Sequence, residues 1–238
     1  MSLGGTSATV RGTEVIAFPG VFIVLTRAES TGGTDGSVVN HVAFRVQSLE
    51  KLRAGRPGIP GIPVLNVQLL AQFPGVGSVT TPEGERIELF DDLSENVKFT
   101  LDAGWTDRTA ERHNQRMAVP IAAHHIHLFV PEGAESVAKA WYVKTFGAVP
   151  GTRWHYAGAD LPGINMNFSA SKQALAPTAG RMLDHIGFEV THLAAFCRAL
   201  EAGGMKFDVP FTREPSGMAR ALLTDPWGTS IELTEGFN

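Results

Sequence analysis

Three histidines and two glutamates stand where this chain could use them to hold a metal ion. His41, His125 and His185 each open one pattern: His, a β-branched residue, any residue, Phe or Leu, any residue, Val. Glu88 and Glu232 each lie in an Ile-Glu-Leu triplet behind a Pro-x-Gly turn, at Pro82-Glu83-Gly84 and Pro226-Trp227-Gly228. His41 precedes Glu88 by 47 residues, and His185 precedes Glu232 by the same 47. Imidazoles joined with a carboxylate suit a divalent ion (Fe, Mn, Ni or Zn) and leave open positions for water and substrate. Such a set is catalytic in character rather than structural. A phosphate-binding glycine loop, a serine nucleophile elbow and the zinc-protease His-Glu-x-x-His are all missing from the sequence.

The elements that must carry these residues repeat. Each histidine segment alternates and is rich in strand formers, so each reads as a strand. A turn feeding a strand also occurs twice, at Phe18-Pro19-Gly20 and at Leu161-Pro162-Gly163. From Pro19 to His41 is 22 residues and from Pro162 to His185 is 23, so three motifs recur in one order at one spacing. That is a duplication. His125 stands 37 residues before Pro162, and the same step back from Pro19 falls before Met1. The first copy is therefore expected to lack an opening strand and helix.

The coarse reading places strands within 13–27, at 38–46, near 64–70, 76–81 and 86–90, with a short helix near 48–55. The Pro/Gly-rich stretch 56–63 supports no regular element. Residues 121–130, 134–146, 152–157 and 164–169 read as strand, helix, strand, strand. Residues 181–190, 192–203, 206–211, 217–224 and 229–234 read as strand, helix and three strands. The fold class is α+β: repeated βαβββ units forming curved mixed sheets around a cleft, with helices outside. The expected domains are 8–91, an incomplete unit pair, and 120–238, a complete one, joined by a polar connection at 92–119.

Composition excludes several classes. The net charge of −4 and the lack of like-charge blocks argue against a nucleic-acid partner. The longest apolar runs are far short of the ~20 residues of a membrane-spanning helix. Cys197 is the lone cysteine, so no intrachain disulfide or cysteine-based zinc site exists, and it reads as a small buried residue. The opening residues show no basic region followed by an apolar run, and the expected location is cytoplasmic.

Four segments carry a family resemblance: His125-Ile-His-Leu-Phe-Val130, Trp141-Tyr-Val-Lys-Thr-Phe-Gly147, Leu183-Asp-His-Ile-Gly-Phe-Glu-Val190 and Asp225-Pro-Trp-Gly-Thr-Ser-Ile-Glu-Leu233. The chain resembles the glyoxalase/bleomycin-resistance/extradiol-dioxygenase superfamily, also called the vicinal oxygen chelate superfamily. That resemblance covers 121–235 fully and 13–91 in part. It implies one divalent metal on His125, His185 and Glu232, with Glu232 or His127 moving a proton. His127 shares a face with His125, and the two roles could be exchanged. His124 is expected to face the other way, toward the surface. His41 and Glu88 match two of three ligand positions and read as relics or pocket residues, or as a second site completed from elsewhere. Asn165 and Asn167 share one strand face, and Arg153, Tyr156 and Arg220 could bind an acidic substrate, with Trp154 and Trp227 packing on it.

The implied function is a metal-dependent lyase or isomerase acting on a small polar or acidic molecule chelated through vicinal oxygens. The alternatives are an extradiol-type Fe(II) dioxygenase and a non-enzymatic small-molecule binding or resistance protein. A homodimer is expected, because this family often pairs units across chains.

Overall fold

The computed structural model describes residues 3–54, 66–92, 94 and 97–237. The expected irregular stretch 56–63 lies outside them. The first sheet is a meander of β1 (Thr6–Val10), β2 (Thr13–Phe18) and β3 (Val21–Val24). Strands β2 and β3 are joined by the expected Pro19-Gly20 turn, where Gly20 takes φ +79°. β1 had no signal strong enough to read.

Next come β4 (Val39–Val46), helix α1 (Leu49–Ala54), β5 (Gln68–Leu69), β6 (Val76–Thr80) and β7 (Arg86–Asp91). The polar connection contributes β8 (Phe99–Leu101) and a 3-10 helix (Thr109–Asn114). A second unit follows as β9 (Ile121–Pro131), α2 (Glu135–Phe146), β10 (Val149–Arg153), β11 (Tyr156–Leu161) and β12 (Ile164–Ser171). The last unit is β13 (Ile186–Glu189), α3 (Leu193–Ala202), β14 (Val209–Arg213), β15 (Ala219–Thr224) and β16 (Ser230–Glu235). No helix among the described residues is long and apolar enough to cross a membrane.

The pairing of units departs from the expected one. The sequence pattern expects the two units of the second half to face each other across a cleft. Instead β9 pairs antiparallel with β4, and one nine-stranded sheet runs β5-β6-β7-β4-β9-β12-β11-β10-β8. β13 to β16 form a separate four-stranded sheet in the order β13-β16-β15-β14. β4 and β13 carry the same pattern, so local sequence does not say which of them lies beside β9. That choice is made by long-range packing. The four-stranded sheet is bound to the back of the second unit through a shared core that includes Leu128, Tyr142, Phe168, Leu193, Leu223 and Ile231. Tyr142, in α2, also donates to Asp225 Oδ2 at 2.9 Å. Cys197 is buried in α3, as expected.

The connection is more than a tether. β8 pairs with β10, and the Phe99 ring lies over Gly151. A Cβ on Gly151 would come within 2.3 Å of that ring and 2.4 Å of the Thr100 carbonyl oxygen. Gly151→Ala is therefore expected to destabilise the fold by about 1–3 kcal/mol, as overpacking does. A urea denaturation midpoint equal to that of the parent protein would contradict this contact. The 3-10 helix is tied down at Asp160, which accepts from both ends of the Arg112 guanidinium, from Asn165 Nδ2 at 3.2 Å, and pairs with His113 Nε2 at 2.7 Å.

Candidate metal centre

Adjacent strands β4 and β9 bring the histidines together. Their register puts Val42 opposite Ile126, His41 opposite His127 and Ala43 opposite His125. His41 and His125 thus occupy two-fold-related positions about the Val42–Ile126 pair. β7 runs parallel to β4 and sets Glu88 beside Ala43; β12 runs parallel to β9 and sets Asn167 beside His127. The same two-fold relation therefore carries Glu88 onto Asn167. Four polar side chains project from four adjacent strands onto one face of the sheet.

Their atoms converge. His41 Nε2 lies 3.1 Å from Glu88 Oε2 and 3.4 Å from His125 Nε2. Ligand atoms of His41, His125 and His127 all lie within 4.8 Å of one another, and all three residues are buried. The environment fixes one tautomer. Arg86 donates to Asn40 Oδ1 at 2.9 Å, and that same oxygen takes the Nδ1 hydrogen of His41 at 2.8 Å. In the neutral ring, His41 Nε2 then directs a lone pair toward a carboxylate. Either a proton on Nε2 or a metal ion can occupy the space between that nitrogen and the carboxylate. Hydrogen bonding of the distal nitrogen is also how metal-binding imidazoles are oriented. Asn167 Oδ1, at the fourth position, is buried and has no hydrogen-bond partner among the described residues. The donor set fits a divalent ion.

Electrostatics keep the imidazoles available. Burial, reinforced by the neighbouring histidines and Arg153, holds His125 well below the ordinary histidine pKa. Burial also lowers His127, with His41 and Arg86 adding to the effect. Both are neutral at pH 7, the state that binds metals. Burial alone would raise Glu88. The hydrogen bond and charge of His41, together with Arg86 at 2.7 Å, outweigh it and hold the carboxyl below its usual range.

These residues open into a cavity of about 180 Å³, lined also by Phe73, Phe90, Phe129, Trp154 and Tyr156. Of the expected site residues, His125, His127, Asn167, Arg153 and Tyr156 line it. His185 and Glu232 do not, and the trio His125, His185 and Glu232 is not brought together. His185 lies just before β13, with Nδ1 2.8 Å from Asp184 Oδ1 and Nε2 3.5 Å from Glu232 Oε2. The Glu232 hydrogen bond, working against burial and aided by Asp184, raises His185 to about 9. Glu232 is thus remote from the cavity assigned to it, because β16 belongs to the other sheet. Asn165 turns into the Asp160 cluster, and Arg220 is exposed on β15.

His124 is corrected too. The pairing shifts between Ala43 and Phe44, where His124 is the extra residue on β9. This bulge turns its side chain inward, and it is 1% exposed. Its Nε2 accepts from Arg153 Nη1 at 2.5 Å, so its Nδ1 donates to His125 Nδ1 at 2.9 Å; this places the His125 proton on Nε2, and that proton must leave for the nitrogen to bind a metal. His41 and Glu88, read as relics or pocket residues, are the pair that completes the cluster.

Residues 122–233 match the family described as the Glyoxalase/Bleomycin resistance protein/Dioxygenase superfamily. The matched segment comprises β9 to β16, whereas the cavity of this chain lies on the sheet in which β9 to β12 pair with the upstream unit β4 to β7. No curated protein matches the chain.

Among solved structures, it is similar to TioX from Micromonospora sp. ML1, at 18% identity and TM-score 0.39, over 47% of this chain and 96% of that one. It is similar to a glyoxalase/bleomycin resistance protein/dioxygenase from Alicyclobacillus acidocaldarius, at 20% identity and TM-score 0.37, over 47% and 90%. Lactoylglutathione lyase from Agrobacterium tumefaciens matches at 18% identity and TM-score 0.36, over 47% and 91%.

Proposed function

We propose that this protein is a metal-dependent enzyme of the glyoxalase type, with one divalent ion held by His41, His125 and Glu88. His41 Nε2, which lies 3.1 Å from Glu88 Oε2 and 3.4 Å from His125 Nε2 at the floor of one cavity, carries this reading. Asn167 Oδ1 stands ready as a further oxygen donor. This ligand set replaces His125, His185 and Glu232.

A bound ion would supply Lewis-acid polarisation of a substrate carbonyl or enediolate oxygen. The chain's own groups do the rest. His127 is the uncharged base beside the cluster. Its Nε2 lies 2.7 Å from Ser169 Oγ, which fixes the ring, and it takes up the proton from the carbon next to the polarised oxygen. Arg86 holds Glu88 in its charged form and in one rotamer. The apolar rings around the floor exclude water, which strengthens each polar contact inside. The substrate is a small molecule that presents two neighbouring oxygens.

Elemental analysis of the purified protein tests the assignment. About one equivalent of a single divalent metal per chain is expected. Chelation should abolish turnover, and readdition of that ion should restore it. Zinc or nickel supports proton transfer. Iron, with oxygen consumed, moves the reading to the dioxygenase alternative. A protein that takes up no metal on reconstitution is a binding protein and not this enzyme.

A further inference from the structure

An unbroken run of ring contacts leads from the mouth of the cavity to the histidines. Phe73 meets Trp154 edge-on at 4.7 Å between centroids, Trp154 meets Tyr156 at 5.7 Å, Tyr156 meets His127 at 4.8 Å, and His127 meets His41 at 4.8 Å. Trp154 begins the tight turn between β10 and β11, and two observations set it apart. It is 50% exposed, so half of a large apolar side chain faces water or the cavity. Its φ is +52°, a left-handed conformation that glycine or asparagine adopts freely and that costs a tryptophan strain. Neither burial nor turn geometry explains a tryptophan here. Strain of this kind persists where the side chain serves the site.

Deeper in the cavity stands Arg153. It is 2% exposed, and its Nη1 is spent on the Val97 carbonyl and His124. Nε and Nη2, the edge of the guanidinium that matches a carboxylate in a two-pronged way, have no partner among the described residues. The cavity is about 180 Å³, near the size of cavities that hold a single benzene ring.

We infer that the cavity selects a small acid carrying one aromatic ring, with Trp154 as the residue that sets the ring preference and Arg153 as the anchor for the acid group. This rests on the site proposed above and names its ligand class. The ring lies along the wall of Phe73, Trp154 and Tyr156. The acid group reaches the free Arg153 edge, and an adjacent hydroxyl or carbonyl oxygen faces His41, His125 and Glu88. An aliphatic acid of the same oxygen pattern forfeits the wall.

The test compares mandelate with lactate, which share a carboxylate and a neighbouring hydroxyl but differ in phenyl against methyl. Binding is measured by calorimetry on metal-loaded and on metal-stripped protein. Mandelate is expected to bind about tenfold more tightly than lactate, the factor that burying one ring supplies. In Trp154→Gly the ratio should fall about threefold or more while thermal stability holds or rises, because glycine relieves the strained turn. In stripped protein mandelamide should bind more weakly than mandelate, because only the acid form pairs with Arg153.

Equal binding of lactate and mandelate, or a ratio unchanged in Trp154→Gly, overturns the ring assignment. Mandelamide binding as tightly as mandelate overturns the anchor. Failure of the metal reading alone would weaken mandelate and lactate together and leave their ratio intact, so the two failures are distinguishable.

Discussion

His41→Ala is expected to strip the metal and the turnover from this protein, while His185→Ala leaves both in place. His41 is the pivot of the cluster: its Nε2 is within 3.4 Å of both Glu88 and His125. Loss of an outer partner that merely orients a ligand costs 10–100-fold in metal affinity, so loss of a ligand itself should cost at least a hundredfold. His185 sits by a different sheet and contacts Asp184 and Glu232 instead. Its removal should change neither the metal content nor the kinetic constants. The measurement is metal per chain for both variants after dialysis against a weak chelator, with turnover beside it. The reverse pattern, metal lost from His185→Ala and kept in His41→Ala, would restore the trio His125, His185 and Glu232 as the site and sink the one proposed here.

That contrast also marks where the sequence stopped being informative. The repeated units, their helices and most strands follow from alternation, turns and spacing. Three strands that carry candidate ligands are therefore legible to within a few residues. Which unit lies beside which is another matter. His41-to-Glu88 and His185-to-Glu232 have the same spacing of 47 residues and the same flanking pattern. Either could close on β9, and nothing local decides between them. The decision is made by contacts such as Arg45, whose guanidinium pairs with Asp92 and donates to the His113 and Gln115 carbonyls at 3.0 and 2.6 Å, binding β4 to the connection.

His124 was misplaced for a different reason. Strict alternation sends residue 124 to the face opposite 125, and one bulge cancels that rule. Trp154 had a visible signal, since a tryptophan between two strands is an odd turn residue. Its meaning needed the left-handed φ and the cavity beside it.

Stability is expected to begin falling in mild acid, as pH drops below about 6.5 and before most carboxylates titrate. The cause is a set of histidines buried without charge. Burial, opposed only in part by Asp160, lowers His113 to about 4. His124 is held well below the ordinary value, again mainly by burial and then by Arg153. His125 and His127 follow the same rule in metal-free protein. In the unfolded chain each has a pKa of about 6.5. As pH drops through 6.5 the unfolded state takes up protons that the folded state refuses, so the equilibrium moves toward unfolding. The stability from these groups is whole above pH 6.5 and is lost on the way down to their folded pKa values.

For His113 alone this amounts to about 2 kcal/mol at pH 5, and the other three act in the same direction. His185 and Glu85 work oppositely: the pairing of His185 with Glu232, which raises it to about 9, stabilises the fold below pH 6.5 and fades as pH rises through 9, and burial raises Glu85 to about 7, so its protonation in the folded state offsets part of the loss as pH falls from 7 to about 4.5. Asp160 and Glu88, both held low by their partners, add losses only below about pH 4. The check is the urea midpoint of the metal-stripped protein at pH 7.5 and at pH 5, with His113→Gln alongside. A drop at pH 5 that is smaller in the variant is the expected result, because glutamine can still donate to Asp160 but does not titrate. A change from pH 7.5 to 5 that is the same in His113→Gln as in the parent would mean that this imidazole is solvated in solution and not packed as described.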